Sequence, residues 1–268
     1  MLKPAILSAL LALAIAPSVA QAEPTGPSVG LDFLYGRTNN TLAAFIGGGN
    51  DITLIGMALH GHLSVTSDLL IGGRIPLAHA QLNDDSASSI GNLTFELNYR
   101  LTQRARSQSW LDSSLSLATA DDDGDGAIAA LSFADFWMPD PGLYAPNTST
   151  VRLMYRHALG DPALGAEFQA GFQYLAIDGP DDLMRVPLRI GGHVELGDTV
   201  AAIGRFSTYW QVNAEDGDDS FLHMLEAGLN LRRVGRGKLD IILYYPLDDL
   251  YREDLEAWGL QLGFSSAI

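Results

Sequence analysis

The chain has 268 residues, with 32 acidic against 16 basic side chains, a formal net charge of −16 and no cysteine. That balance argues against a nucleic-acid binder, which needs clustered Lys and Arg to neutralise phosphates. The missing cysteine excludes a disulfide scaffold, a thiolate metal or iron–sulfur site, a cysteine nucleophile and a cysteine-anchored lipoprotein, and 47% apolar with 18% charged residues excludes wholesale disorder.

The first segment, residues 1–22, reads as an export signal. Lys3 gives a positive start, Ala5 to Ile15 is a largely apolar run, and Ala20-Gln21-Ala22 is a small-x-small cleavage site followed by Glu23-Pro24. The run is shorter than the roughly 20 residues of a membrane-spanning helix. The expectation is a cleaved secretory signal peptide over 1–22 and a single domain over 23–268.

From there on apolar and polar residues alternate with period two, the pattern of strands with one apolar and one polar face. Leu93, Phe95, Leu97, Tyr99 and Leu101 alternate with Asn92, Thr94, Glu96, Asn98 and Arg100. Leu164, Ala166, Phe168, Ala170, Phe172 and Tyr174 alternate with Glu167, Gln169 and Gln173. The periodicity predicts about twelve strands, near 28–36, 52–64, 69–81, 91–102, 109–118, 147–157, 164–177, 184–196, 199–211, 220–232, 238–247 and 257–268. Several are longer than a soluble strand and match the about 9–11 tilted residues that cross a bilayer.

The connections alternate between short ones (Val65–Asp68, Gln103–Gln108, Ala158–Ala163, Gly197-Asp198, Arg233–Gly237) and mostly longer ones (Arg37–Asp51, Leu82–Ile90, Thr119–Pro146, Asp178–Leu183, Val212–Asp219, Asp248–Glu256). Charge follows the same alternation. The long set is crowded with Asp and Glu against only Arg37 and Arg252, whereas the short set and its edges hold Arg104, Arg106, Arg233, Arg236 and Lys238 against Asp68, Asp161 and Asp198. With the first strand running outward, Tyr35, Tyr174, Trp210, Phe221, Tyr245 and Trp258 fall at outer strand ends on the apolar face, and Tyr99, Tyr155 and Phe264 at inner ends. Short inner turns, long outer loops and two aromatic belts predict an all-β, antiparallel up-and-down transmembrane barrel in a Gram-negative outer membrane, with its apolar face toward lipid.

The polar faces then line the lumen. They carry Asp32, Arg74, Glu96, Arg100, Asp112, Arg152, Arg156, Glu167, Arg185, Arg189, Glu195, Arg205, Glu226, Arg232 and Asp240, a nearly neutral wall. Two readings stand side by side: a ladder of ion pairs that fills the interior, and a polar path for a solute. Arginine-rich walls and a folded-in Thr119–Pro146 connection are the expected means of closing such a lumen.

Few residues carry other chemistry. Asp121, Asp123 and Asp125, followed by Gly126, share half of a calcium-loop spacing, in which alternate carboxylates converge on one cation, but Ser132 stands where the bidentate Glu is needed. Calcium is the one cofactor that these residues suggest. The acidic rim is also a place for divalent cations to bridge to lipopolysaccharide phosphates. His60 and His62 share a strand face and read either as two metal ligands or as a polar lumen pair. His79 with Asp84 and Asp85 is a weak acid–histidine candidate. No nucleophile–base set, G-x-S-x-G or H-E-x-x-H occurs close in sequence, so no enzyme is expected.

Leu69-Leu70-Ile71-Gly72-Gly73-Arg74-Ile75-Pro76, a polar stretch, then Ile90-Gly91-Asn92-Leu93-Thr94-Phe95-Glu96-Leu97-Asn98-Tyr99-Arg100-Leu101 resembles outer-membrane barrels of the meta-pathway phenol-degradation transporter type, as does the strand-to-Pro step Leu243-Tyr244-Tyr245-Pro246-Leu247. Asn92 stands where that family has Asp, and the last residue, Ile268, replaces the usual terminal aromatic read by the barrel-assembly machinery. The resemblance implies passage of small apolar or aromatic compounds. The alternatives are a non-conducting structural or adhesive barrel acting through its acidic loops, and a lipid-modifying outer-membrane enzyme.

Overall fold

The computed structural model describes residues 27–38, 52–82, 85–120, 143–161, 163–177, 182–212, 221–234, 237–248 and 257–267. Among them the chain forms thirteen strands: β1 (Ser28–Thr38), β2 (Ile52–Ser64), β3 (Leu69–Leu82), β4 (Asp85–Ile90), β5 (Thr94–Arg104), β6 (Ser107–Ser116), β7 (Thr148–Asp161), β8 (Leu164–Ile177), β9 (Leu183–Gly197), β10 (Val200–Gln211), β11 (Phe221–Val234), β12 (Gly237–Pro246) and β13 (Trp258–Ala267). Each pairs antiparallel with its neighbours, and β1 closes on β13, with Ser28 opposite Ala267 and Arg37 opposite Trp258. The result is a closed barrel of twelve strands with β4 as an extra one. Closure removes every edge from the twelve-stranded wall, so its backbone polar groups are bonded within it, the condition for crossing lipid.

Strand parity sorts the side chains as the alternation predicts. Val29, Leu31, Leu59, Ile75, Phe95, Leu97, Leu153, Phe168, Ile190 and Leu243 lie exposed on the outside. A band of this size in water is a large unfavourable apolar surface, and in a bilayer it is the solvated face. Tyr99, Tyr155 and Phe264 mark its inner border and Trp210, Phe221 and Tyr245 its outer border, all outward-facing and exposed. Trp210 stacks on Phe221 (centroids 6.3 Å apart), and Tyr35 meets Trp258 at 5.4 Å.

The strand expected over 91–102 begins later, at Thr94, and the expected loop over 82–90 contains β4. β4 and β5 are one strand interrupted by a bulge. β3 pairs with β5 through Arg74 opposite Thr94 and with β4 through Leu77 opposite Ile90, so Ile75-Pro76 faces the three residues Gly91, Asn92 and Leu93. Proline offers no N–H to the ladder, which favours an interruption here. The Gly91 N–H donates to the Pro76 carbonyl at 2.9 Å. A Cβ on Gly91 would stand 2.7 Å from the Leu143 carbonyl oxygen and 2.8 Å from Pro76 Cγ, so only glycine lets three backbones meet.

Inside, the barrel is layered. Toward the outer end Leu54, Ala78, Ala80, Tyr209, Leu222, Met224, Ile242 and Tyr244 pack with Leu143, Tyr144 and Ala257 into an apolar cluster, flanked by Leu34. Toward the inner end the wall turns polar. Residues 1–22, with the expected export signal, lie outside the described residues.

Candidate functional site

Because each strand crosses the wall once, one inward residue per strand at a given depth forms a ring, and the pairing register places these residues beside one another. A cavity of about 440 Å³ runs from Ser28, Lys238 and Ser265 at the inner rim up to Leu143 and Tyr144. Of the lumen residues expected from sequence, Asp32, Arg74, Glu96, Asp112, Arg152, Arg156, Glu167, Arg189, Arg205 and Glu226 line it. Arg100 does not: at the inner rim its Nε and Nη2 donate to Asp68 Oδ1 at 3.0 and 2.9 Å, and Nη2 also donates to the Ser67 carbonyl. Arg185 is buried against the wall, Arg232 pairs with Glu195, and Asn230 Nδ2 donates to Asp240.

The lining charges form short chains across neighbouring strands. Arg74 Nε lies 2.7 Å from Glu96, whose other oxygen is 2.7 Å from His62 Nε2. Arg156 donates to Asp112 at 2.8 Å and lies over Trp110, its guanidinium carbon 4.5 Å from the ring centre. Glu226, only 1% exposed, sits between Arg189 (3.0 Å) and Arg205 (3.3 Å) and accepts from Ser207 Oγ at 3.0 Å. A carboxylate this buried stays charged only when paired, and here two guanidiniums and a hydroxyl hold it.

His60 and His62 both face the cavity. They lie 6.0 Å apart by ring centre, with His60 Nδ1 3.3 Å from Asp32. Each ring lies over a glycine of the next strand, Gly30 and Gly72: a Cβ on Gly30 would fall 1.8 Å from His60 Nε2. Among the described residues no group of three or more His, Cys, Asp or Glu is placed to hold a metal ion. Asp121, Asp123 and Asp125, the calcium candidates, lie outside the described residues, as does Asp84, while His79 Nδ1 lies 2.8 Å from Ser88 Oγ.

The outer end of the cavity is closed by a strap, Leu143-Tyr144-Ala145, that enters from the long connection after β6. Its clasp is Asn92, the residue at which the chain departs from the resembled family. Asn92 is fully buried. Its side-chain oxygen accepts from the Thr119 and Ala120 N–H groups at 3.0 and 2.9 Å, its amide donates to the Ala145 carbonyl at 2.7 Å, and its own N–H donates to the Leu143 carbonyl at 2.7 Å. One side chain therefore ties both ends of the 121–142 segment to the bulge between β4 and β5. Only an amide both accepts and donates this way; a carboxylate lacks the donor. Tyr144 reaches across to β2, where a Cβ on Gly56 would stand 2.7 Å from its hydroxyl oxygen. The glycine-rich wall and the lone asparagine before a strand were the signals in the sequence, but which loop meets which glycine is a long-range fact.

No protein-family model and no curated protein matches the chain. Solved structures do. An outer membrane channel from Pseudomonas putida F1 aligns with a TM-score of 0.64 at 15% identity, over 94% of this chain and 99% of that one. The NanC porin aligns at 0.57 and 10% identity (89% and 100%), and the translocator domain of the autotransporter NalP from Neisseria meningitidis at 0.54 and 10% (99% and 95%). The fold is that of an outer-membrane β-barrel. At these identities the likeness speaks to architecture, and a channel, a porin and a translocator domain share it, so what this barrel does has to be argued from its lumen.

Proposed function

We propose that the protein is a passive outer-membrane channel for small apolar or aromatic compounds, closed toward the outside by the Leu143–Ala145 strap. The observation that carries this reading is the cavity of about 440 Å³ that reaches from the inner rim to the strap. A barrel whose only task is to hold loops has no need of such a space, and its size falls within the roughly 300–1,000 Å³ of small-molecule sites. The apolar layer around Tyr144, Tyr209 and Tyr244 supports solutes with an apolar body, and the resemblance to phenol-degradation transporters points the same way. The apolar outer face meets the lipid, and the acidic outer loops face lipopolysaccharide, where divalent cations bridge the two. No group that couples energy to transport enters this reading.

One observation favours a second reading, a non-conducting barrel: the outer part of the lumen is packed by the strap and the apolar cluster. Swelling of liposomes carrying the protein separates the two. The channel reading expects faster swelling in phenylalanine, an aromatic zwitterion that lipid excludes, than in a hexose of comparable mass, and swelling no faster than in protein-free liposomes for every solute tested overturns it.

A further inference from the structure

The arginine pair that holds Glu226 makes fewer bonds than it offers. Arg189 on β9 donates through Nε to Ser207 Oγ at 3.1 Å and pairs through Nη2 with Glu226. Arg205 on β10 donates through Nη1 to Glu226. Among the described residues, Arg189 Nη1 and the Nε and Nη2 of Arg205 have no partner, and both side chains line the cavity. Glu226 is almost wholly out of reach of solvent, so it fixes the two guanidiniums without covering their cavity side. Gly191, between them in register opposite Arg205, removes a side chain that would stand over the Arg205 stem: a Cβ there would lie 2.5 Å from its Cγ.

The register places this pair directly under the apolar layer. Arg205 is opposite Glu226, which is opposite Tyr244, and Arg189 is opposite Ser207, which is opposite Met224. Tyr244 and Met224 belong to the cluster that packs Leu143 and Tyr144. Two fixed, incompletely bonded guanidiniums therefore adjoin an aromatic and aliphatic ceiling. A planar guanidinium fork suits a carboxylate, which accepts two parallel N–H bonds. Glu167, which accepts from Gln169 at 2.5 Å, lines the same cavity and is the acid beside which a bound carboxylate has to fit.

We propose that Arg189 and Arg205 form a binding site for small carboxylates with an aromatic body, the acid group on the arginines and the ring against Tyr244 and the strap. The proposal rests on the channel reading only for where the bound solute goes next. Its test is calorimetric titration of the full chain, folded in detergent, with sodium benzoate, sodium acetate, benzyl alcohol and benzylamine. The expected order is benzoate well ahead of the other three. Benzoate no better than acetate, or benzyl alcohol or benzylamine equal to benzoate, overturns the site, and this arm needs no variant. In a second arm, Arg205→Gln and Arg205→Lys, checked for folding by heat-dependent gel migration, each weaken benzoate at least tenfold, the lysine variant showing that the fork and not the charge alone is read. Unchanged benzoate affinity in both overturns the assignment. A barrel that conducts ions yet ignores benzoate sinks the site and leaves the channel; one that binds benzoate yet passes nothing sinks the channel and leaves the site.

Discussion

At the scale of single residues the lumen is organised by groups that have one place to go. Asn92 serves four backbone groups from both feet of the strap. Asn92→Leu takes the acceptor from the buried Ala120 N–H and removes the side-chain bonds to Thr119 and Ala145, and a buried group left without a partner costs about 1–3 kcal/mol. The expected result is a lower temperature for loss of the folded gel band, and an unchanged temperature contradicts the clasp. Gly56→Val puts atoms where the Tyr144 phenol now lies. It is expected to expel Tyr144 from the lumen, read as faster quenching of tyrosine emission by a water-soluble quencher. Tyr144 as protected as before contradicts the placement. At the inner rim Arg100 holds the Asp68 carboxyl below its ordinary value of 3.8, first by the direct hydrogen bond, with Ser67 adding a second. A depressed carboxyl stabilises the fold above its unfolded pKa, and that contribution fades as pH falls through the lower folded value. Thermal stability of the wild type is therefore expected to drop more steeply than that of Asp68→Asn below about pH 4. Parallel profiles contradict it.

At the scale of strands, the outward face is the one that lipid solvates, and Leu97 is well exposed on it. Leu97→Arg is expected to cost about 2–4 kcal/mol near the midplane. Urea unfolding in lipid vesicles measures it, and a neutral result contradicts the assigned depth. Most strands were legible in the sequence because a wall solvated by lipid on one side and water on the other demands strict alternation: the pattern at 93–101 and 164–174 follows directly from that. β4 was not legible. Asp85 to Ser89 holds no apolar alternation, because this strand is fixed by pairing with the outer part of β3 rather than by burial. The inward charged residues were legible by parity, but their partners were not. Glu226 finds Arg205 across one strand boundary and Arg189 across two, a matter of register and side-chain length that period two does not encode. Arg100 shares the parity of Glu96 yet reaches Asp68, since its backbone already bonds the β2–β3 connection that carries Asp68. Trp110 lies at an inner strand end like the belt aromatics, but it shares the polar face with Asp112 and is buried in the lumen beneath Arg156.

At the scale of the whole molecule the barrel has two solvents outside and two layers inside. Lipid fixes the outer surface. Within, charge chains hold the inner part open as a cavity, and an apolar cluster around a tied strap fills the outer part. On the channel reading proposed above, the strap is the point at which passage is decided: a solute that has crossed the polar layer meets Leu143 and Tyr144 and the apolar cluster packed around them. Removing those two side chains while leaving Asn92 and the backbone bonds of the strap in place should widen the lumen without unfolding the wall. The measurement that bears on this most directly is single-channel conductance in planar bilayers of the wild type and of the double variant Leu143→Ala, Tyr144→Ala. The expected result is a small or intermittent wild-type current and a larger, steadier one in the double variant. Identical conductance in the two, or silence in both, contradicts a channel closed by this strap.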